Sequence, residues 1–312
     1  MVGLHEMREI LVTPEVEAEL VERERVAAEQ RQRPTKKVGV LITLVSVALF
    51  VGGQHWMGSG DWTWIVILVG VLLVHELGHL LAMRLLGFSD LGVFFIPFFG
   101  AAAAGRKDDA SATQHAIVSL AGPVPGVVLG ATLAIAAPIQ IDWVWRTIVL
   151  SILLNLFNLL PAKPLDGGRF LDTVLFRRNP TLQLITSLLG GALLIYLGWR
   201  QASWLLGGIG GIALLLASPS SRANMVARTL RERIGPSFVH GDALPPEYRE
   251  PLAHAVAQTW GFEVTDKPKT LVALMLAGWK QAGVESPPMP AAVVLLAVYV
   301  VTFALGLAVF WV

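Results

Sequence analysis

The chain contains no cysteine, and this absence limits its chemistry. Without thiols it can form no disulfide bond and offer no thiolate to a metal ion, so any metal site must use His, Asp or Glu. Charged residues are also scarce, at 15% of the 312 residues, compared with about a quarter in a typical soluble domain. The net charge of +1 gives no indication of nucleic-acid binding, and the sequence has no basic groove with interleaved aromatic residues.

Apolar sequence, in contrast, is abundant, with 54% hydrophobic residues and a mean hydropathy of +0.62. An apolar run of about 20 residues is long enough to cross a bilayer as a helix. We therefore predict an all-α polytopic membrane protein with about six to seven transmembrane helices. Whether residues 181–217 cross the membrane twice is left open. The candidate spans are residues 38–53, 64–86, 117–139, 143–160, 181–199, 203–217 and 291–312.

The polar stretches between these runs divide the chain into four predicted parts. Residues 1–37 form a polar N-terminal arm, which we expect to be a solvated cytoplasmic helix. Residues 38–218 form a membrane-embedded core. Residues 219–290 form a small cytoplasmic helical region, and residues 291–312 form a last transmembrane helix.

A cluster of basic residues precedes the first apolar run and predicts the orientation of the chain. Its members are Arg31, Arg33, Lys36 and Lys37. Because the first apolar run begins only behind this cluster, at Val38, no signal peptide is expected. Basic flanking residues favour the cytoplasmic side of a membrane. We therefore expect a multi-pass protein of the cell (inner) membrane with a cytoplasmic N-terminus.

The most informative stretch is the His-Glu-Leu-Gly-His motif at residues 75–79, inside the apolar run 64–86. Ionisable groups at that depth cost roughly a few kcal/mol each, so they indicate a function. His75 and His79 are four residues apart, so their imidazoles project from one face of a helix about a turn from each other. The two rings can then bind one zinc ion, and Glu76 can deprotonate a water on it. The alternative is a chance match to the pattern.

An apolar, glycine-rich stretch, residues 92–105, follows this run and is too short to span a membrane as a helix. Pro97, together with Gly92, Gly100 and Gly105, predicts a bent β-hairpin. The hairpin either re-enters the membrane beside the proposed metal site or lies at the membrane interface. The sequence leaves both possibilities open.

A second break in an apolar helix supplies another candidate ligand. Pro161 and Pro164 end the apolar run 143–160, and the two glycines that follow Asp166 permit a sharp turn. Irregular backbone is tolerated at membrane depth only where it is buried in protein or lines a wet cavity. Asp166 is therefore the candidate third metal ligand, and a hairpin turn with an exposed Asp is the alternative.

Taken in chain order, these motifs resemble the site-2 protease family of intramembrane zinc metalloproteases. The resemblance covers about residues 38–176, of which 64–176 would be the catalytic part. The matching stretches are residues 75–79, then Ala121-Gly122-Pro123, then Asn158-Leu159-Leu160-Pro161 leading to Leu165-Asp166-Gly167-Gly168.

The resemblance implies a role for each candidate site residue. The implied ligands of one Zn²⁺ per chain are His75, His79 and Asp166. Glu76 is implied to be the general base. Asn158 is implied to hold the substrate or to stabilise the oxyanion, and residues 94–105 are implied to capture an unwound substrate segment.

The function expected from the resemblance is that of an intramembrane zinc endopeptidase that cleaves transmembrane segments near the cytoplasmic side of the bilayer. Its expected partners are lipids and either single-span membrane proteins or signal-peptide remnants. The main alternative is a non-proteolytic membrane protein in which the same cluster is structural and binds partner helices. Glu76 argues against that alternative, because a structural site with these ligands does not need it. A transporter is a third possibility, although no paired broken helix is found in a second half.

Overall fold

The structure is a computed structural model with two compact units. One unit combines residues 35–178, 185–215 and 286–312, and is called here the membrane unit. The other combines residues 1–34, 179–184 and 216–285, and is called here the helical unit. The residues that the structure describes are 11–32, 40–56, 61–96, 100–107, 110–137, 140–235, 243–283 and 286–309.

The described residues form twelve α-helices and one pair of β-strands. Two short helical turns add to them: a π-helical turn at Asp172–Phe176 and a 3₁₀ turn at Phe262–Val264. In chain order the elements are α1 Pro14–Gln32, α2 Val40–Trp56, α3 Trp62–Leu85, β1 Ser89–Ile96, β2 Gly100–Arg106, α4 Ala112–Ala121, α5 Pro123–Ala136, α6 Asp142–Asn158, α7 Asp166–Leu171, α8 Pro180–Arg200, α9 Trp204–Ile234, α10 Pro246–Trp260, α11 Pro268–Ala282 and α12 Met289–Ala308.

The predicted class, a mostly helical polytopic membrane protein with one small hairpin, is confirmed. Within the described residues, five helical segments are long and apolar enough to cross a membrane: α3, α4 with α5, α8, α9 and α12. The prediction of six to seven also counted α2 and α6, which have only 17 residues each. A helix of that length is at the lower limit for crossing the hydrocarbon core. Moreover, α6 begins with Asp142 and contains Arg146 in its second turn.

The third predicted span is interrupted between α4 and α5. Gly122 separates the two helices, and Pro123 begins the second one. Proline has no backbone N–H and therefore cannot continue the hydrogen-bond ladder of the preceding helix. Because α4 ends here, the carbonyl groups of its last turn lack helical partners and are available to side chains.

The predicted β-hairpin is present and packs between membrane helices. Strands β1 and β2 pair in antiparallel fashion, and the turn around Pro97 lies outside the described residues. Val93 and Phe95 of β1 are buried with Phe50 of α2 and Leu72 of α3. The hairpin is therefore part of the core of the membrane unit.

The outer edge of β1 is hydrogen-bonded to side chains of α2. The Thr43 hydroxyl donates to the Val93 carbonyl at 2.8 Å, and the Phe95 N–H donates to the Ser46 hydroxyl at 2.9 Å. Unsatisfied backbone groups are costly away from water, so an uncovered strand edge among membrane helices would be unfavourable. The two hydroxyls satisfy the groups that a third strand would otherwise bind.

The last helix supports the end of α6 from a distant part of the sequence. The hydroxyl of Tyr299 in α12 donates to the carbonyl of Leu159, the residue that caps α6, at 2.6 Å. Its ring stacks on Phe170 of α7, with 5.2 Å between the ring centroids. This contact satisfies a carbonyl group that has no helical partner because α6 stops there.

The helical unit has its own apolar core. Val16 and Leu20 of α1 are fully buried in it, together with residues from α9, α10 and α11 such as Leu230, Leu252 and Trp279. The Glu250 carboxylate of α10 accepts hydrogen bonds from the two backbone N–H groups of residues 11 and 12, at 2.7 and 3.0 Å. The arm that we expected to be solvated is thus a packed helix with one buried face. The spacing of the apolar residues in α1 was hard to recognise from the sequence because most other side chains of this helix are charged.

The burial of α1 predicts different costs of truncation at two adjacent apolar residues, one buried and one exposed. Leu20→Ala removes a fully buried side chain and should destabilise the helical unit by about 2–4 kcal/mol. Val21→Ala is the matched control, because Val21 is 53% exposed, and should change stability by less than about 0.5 kcal/mol. Amide hydrogen exchange of peptides from α1 and α11, in the purified full chain, measures the change in stability for each variant. Equal protection in the two variants would contradict the packed position of α1.

Candidate metal centre

Helix α3 presents both histidines of the motif on one buried face. His75 and His79 are 3% and 7% exposed, and their rings lie edge to face with centroids 4.8 Å apart. The N-terminus of α3 is fixed by Asp61, which accepts hydrogen bonds from Thr63 and Trp64. Arg146 of α6 also pairs with Asp61 and lowers the pKa of its carboxyl group. The ion pair joins the start of α3 to the start of α6.

Asp166 joins the two histidines to form a compact group of three possible metal ligands. Its Oδ2 lies 3.1 Å from Nε2 of His75 and 3.2 Å from Nε2 of His79, and the two nitrogens are 3.2 Å apart. An ion at about 2.0–2.1 Å from three atoms so spaced makes angles of roughly 100°, close to tetrahedral, with a fourth position open. This donor set and spacing fit zinc. In the described part of the chain, no other cluster of three or more acidic or histidine side chains has this potential.

The outer nitrogen of each imidazole has an oxygen partner. Nδ1 of His79 lies 2.7 Å from the carbonyl of Val118, in the last turn of α4. Nδ1 of His75 lies 2.7 Å from Oδ1 of Asn155, in α6. An oxygen acceptor requires the proton to be on Nδ1, so in each ring the lone pair is on Nε2. Both lone pairs therefore face the space beside Asp166.

The segment between α6 and α7 places Asp166 at the start of α7. α6 ends at Asn158, as the proline at 161 predicts. The expected sharp turn at Gly167 and Gly168 is wrong, because both residues lie within α7. Their role is close approach instead: a β-carbon on Gly167 would lie 2.7 Å from the carbonyl oxygen of Leu160. The missing side chains let the first turn of α7 pack against the end of α6.

Two further contacts hold the segment that carries Asp166. Lys163 pairs with the buried carboxylate of Asp172 at 3.0 Å, which ties the loop to the turn that follows α7. On the other side of the loop, Ala162 and Leu165 are buried against Leu194 of α8 and Ala213 of α9. The candidate ligand is therefore fixed by packing as well as by hydrogen bonds.

Glu76 is buried beside the three ligands without belonging to them. Its side chain is 4% exposed, and it interacts electrostatically with all three ligand residues. Its carboxylate also accepts a hydrogen bond from the backbone N–H of Ala103 on β2. A carboxylate in this position can accept a proton from a group bound between the metal site and the hairpin.

The structure separates the two asparagines of α6. The predicted site residue, Asn158, is partly buried, and its amide donates to the Leu154 carbonyl at 3.1 Å. Among the hydrogen bonds described for Asn158, none reaches the three ligands, and its action on a substrate stays a prediction. Asn155, which is fully buried, was missed by the sequence analysis: the sequence shows a second amide in the same apolar run but not which of the two faces the histidines.

No protein-family model matches the chain. Among curated proteins it is similar to "Putative zinc metalloprotease Rip3" of Mycobacterium tuberculosis, at 35% identity over 143 residues, which is 41% of this chain and 35% of that protein. It is also similar to "Zinc metalloprotease MJ0392" of Methanocaldococcus jannaschii, at 30% identity over 142 residues (43% of this chain, 41% of that protein). A third relative is "Putative zinc metalloprotease sll0528" of Synechocystis, at 31% identity over 131 residues (38% and 34%).

The resemblance predicted from the motifs is confirmed. The name of each of these relatives includes the words zinc metalloprotease. The chain spans between 34% and 41% of the length of the relatives it matches. The zinc in the names of these relatives agrees with the two histidines and one aspartate that could bind a metal ion in this chain.

The ligand triangle predicts the metal content of three variants. Replacing His75, His79 or Asp166 with alanine leaves two ligands, and no cysteine is present to substitute. Each variant should therefore bind zinc at least 100-fold more weakly than the wild type, an order-of-magnitude expectation from the loss of one ligand. Elemental analysis of the purified protein measures this, with His115→Ala as a control outside the triangle. Unchanged zinc in any of the three variants would remove that residue from the ligand set.

Proposed function

We propose that the protein is an intramembrane zinc metalloprotease of the site-2 type, which cleaves a peptide bond within transmembrane segments of other membrane proteins. The observation that supports this best is the meeting of three possible ligand atoms within 3.2 Å of one another. Two of them belong to α3, a helix long enough to cross a bilayer. Glu76, next to one ligand in the chain, is buried beside them. A purely structural metal site has no use for this additional carboxylate.

The side chains of the site have separate roles in the proposed reaction. Zinc, when bound, supplies the chemistry of a Lewis acid, acidifying water and polarising a carbonyl group. Glu76 accepts the proton of the attacking water and transfers it to the amine that leaves. Asn158 acts on the substrate, by holding it or by donating its amide to the oxyanion. Asp166 and the two histidines would hold the metal.

A helical substrate must unwind before it can be cleaved, because its carbonyls are bound in its own hydrogen bonds. Pairing with a strand edge would satisfy the freed backbone groups. The outer edge of β1 is already bound by hydroxyls of α2, through Val93 and Phe95. Val93 lies opposite Ala103, so the N–H of Ala103 points away from β1, and it bonds to Glu76. We assign substrate pairing to the edge of β2, which faces Glu76; there the N–H of Ala103 would exchange its bond to Glu76 for one to the substrate.

The proposed orientation places the metal site near the cytoplasmic side of the cell membrane. The basic cluster in front of α2 favours a cytoplasmic N-terminus, although residues 33–39 and the side chain of Arg31 lie outside the described residues. α3 would then end on the cytoplasmic side, with Arg84 in its last turn. Arg146 is on the opposite side, where it pairs with Asp61 and Asp142. Cleavage at the metal site, near the cytoplasmic side, would release the cytoplasmic portion of the substrate, which is either a single-span protein or a signal-peptide remnant.

The proposed reaction is tested by a change to the general base. Glu76→Gln is nearly isosteric but cannot accept the proton, so it should retain zinc and lose at least a hundredfold in cleavage rate, the lower range for general-base catalysis. The measurement is cleavage of a single-span test protein by purified wild type and variant. Retained cleavage by Glu76→Gln would exclude Glu76 as the base. Zinc binding without any cleavage by the wild type would instead favour a structural metal site that binds partner helices.

The proposed orientation predicts the reactivity of two introduced thiols. Because the chain has no cysteine, each single-cysteine variant gives an unambiguous signal. Gln140→Cys, exposed between α5 and α6, should react with a membrane-impermeant maleimide in intact cells. Ala28→Cys, exposed on α1, should react only after permeabilisation. The reverse pattern would overturn both the orientation and the proposed side of cleavage.

A further inference from the structure

We propose that Asn155 is the positioning residue of the metal centre: it orients His75, and the backbone of Gly126 holds it in place. The inference rests on the proposed zinc site and adds to it a residue that the motifs do not contain. It concerns the second hydrogen bond of a ligand, which fixes the ring and its tautomer.

The amide of Asn155 has only one orientation that satisfies its neighbours. Its Nδ2 donates to the carbonyl of Ser151 at 2.7 Å, and a carbonyl can only accept. Oδ1 must therefore face Nδ1 of His75, also at 2.7 Å. The proton of His75 is thereby held on Nδ1, and the lone pair of Nε2 is directed at the metal position. The amide is fully buried, so water does not compete for this bond.

Gly126 of α5 closes the other side of the amide. A β-carbon at this position would overlap the side chain of Asn155. Four residues earlier, a β-carbon at Gly122 would overlap the ring of His79 in the same way. Gly122, which directly precedes α5, and Gly126, in the first turn of α5, thus present bare backbone to the ring of His79 and to the amide of Asn155 respectively. Asn155 is thus confined between the backbone of α5 and the ring of His75.

The use of an amide rather than a carboxylate at residue 155 is consistent with the charge of the site. Two buried carboxylates, Glu76 and Asp166, balance one divalent ion. Both imidazoles donate to uncharged oxygens, from Asn155 and Val118, so with both carboxylates ionised the loaded centre would have no net charge. A third carboxylate would leave an uncompensated charge among membrane helices, which is costly. Arg169, 3.9 Å from Asp166, is 63% exposed and is screened by water.

Zinc affinity of the purified full chain tests this inference. Asn155→Leu removes the acceptor at similar size and should weaken zinc binding 10–100-fold, measured by competition with a chromophoric chelator. Asn155→Asp restores an acceptor and should bind zinc at least as tightly as the wild type. It should also lower the unfolding temperature of the metal-free protein, because it buries a third carboxylate. Asn158→Leu, three residues along the same helix, is the matched control and should leave zinc affinity unchanged.

A second pair of variants tests the same contact from α5. Gly126→Ala should displace the amide of Asn155 and weaken zinc binding, and it decides the question if Asn155→Leu does not fold. Gly70→Ala is its control, because apart from the chain neighbours and nearby backbone of its own helix no atom lies within 4 Å of the added β-carbon. It should bind zinc as the wild type does.

The outcomes separate this inference from the proposed function. Wild-type zinc affinity in Asn155→Leu or in Gly126→Ala would overturn the positioning role while leaving the metalloprotease proposal intact. Equal weakening in Asn155→Leu and Asn155→Asp would also overturn it, because packing rather than the acceptor would then matter. No zinc binding by the wild type would refute the proposed function itself.

Discussion

The membrane unit depends on one constraint: the buried polar atoms around Asp166 must all have hydrogen-bond partners or a metal. One carboxylate oxygen lies within 3.2 Å of two imidazole nitrogens, inside a bundle of apolar helices. Such a cluster is tolerable only if every polar atom has a partner or a metal. The interruptions of the helices provide those partners. The break between α4 and α5 leaves the carbonyl of Val118 available, and the end of α6 brings Asp166 into place.

Other polar groups of the unit follow the same rule. Thr43 and Ser46 satisfy the edge of β1, and Tyr299 satisfies the carbonyl of Leu159 at the end of α6. Each partner comes from a helix that contributes no ligand to the metal site. In a medium where water is scarce, helices that are remote in the sequence become necessary for the irregular backbone near the site.

The sequence was sufficient for features that depend on local rules. The spacing of His75 and His79 fixes a shared helix face, and Pro161 fixes the end of α6. These rules made Asp166 a candidate third ligand, and the resemblance to a known family joined it to the two histidines. Asn155 could not be identified, because two asparagines three residues apart in an apolar helix look alike until the neighbouring helix is placed. The buried face of α1 was missed for the same reason, since its partners lie more than 200 residues away.

The position of the hairpin has a mechanical consequence. β2 lies directly against α3: a methyl group at Gly105 would lie 2.7 Å from the sulfur of Met83, and Ala103 touches Glu76. An added peptide strand needs about 4.8 Å of width, which this contact does not provide. Thr43 and Ser46 bond α2 to β1, so the hairpin cannot move away from α3 without α2 unless those two hydrogen bonds break. The proposed admission of a strand at this edge would therefore move the hairpin away from α3, and α2 would move with it as long as those two bonds are kept.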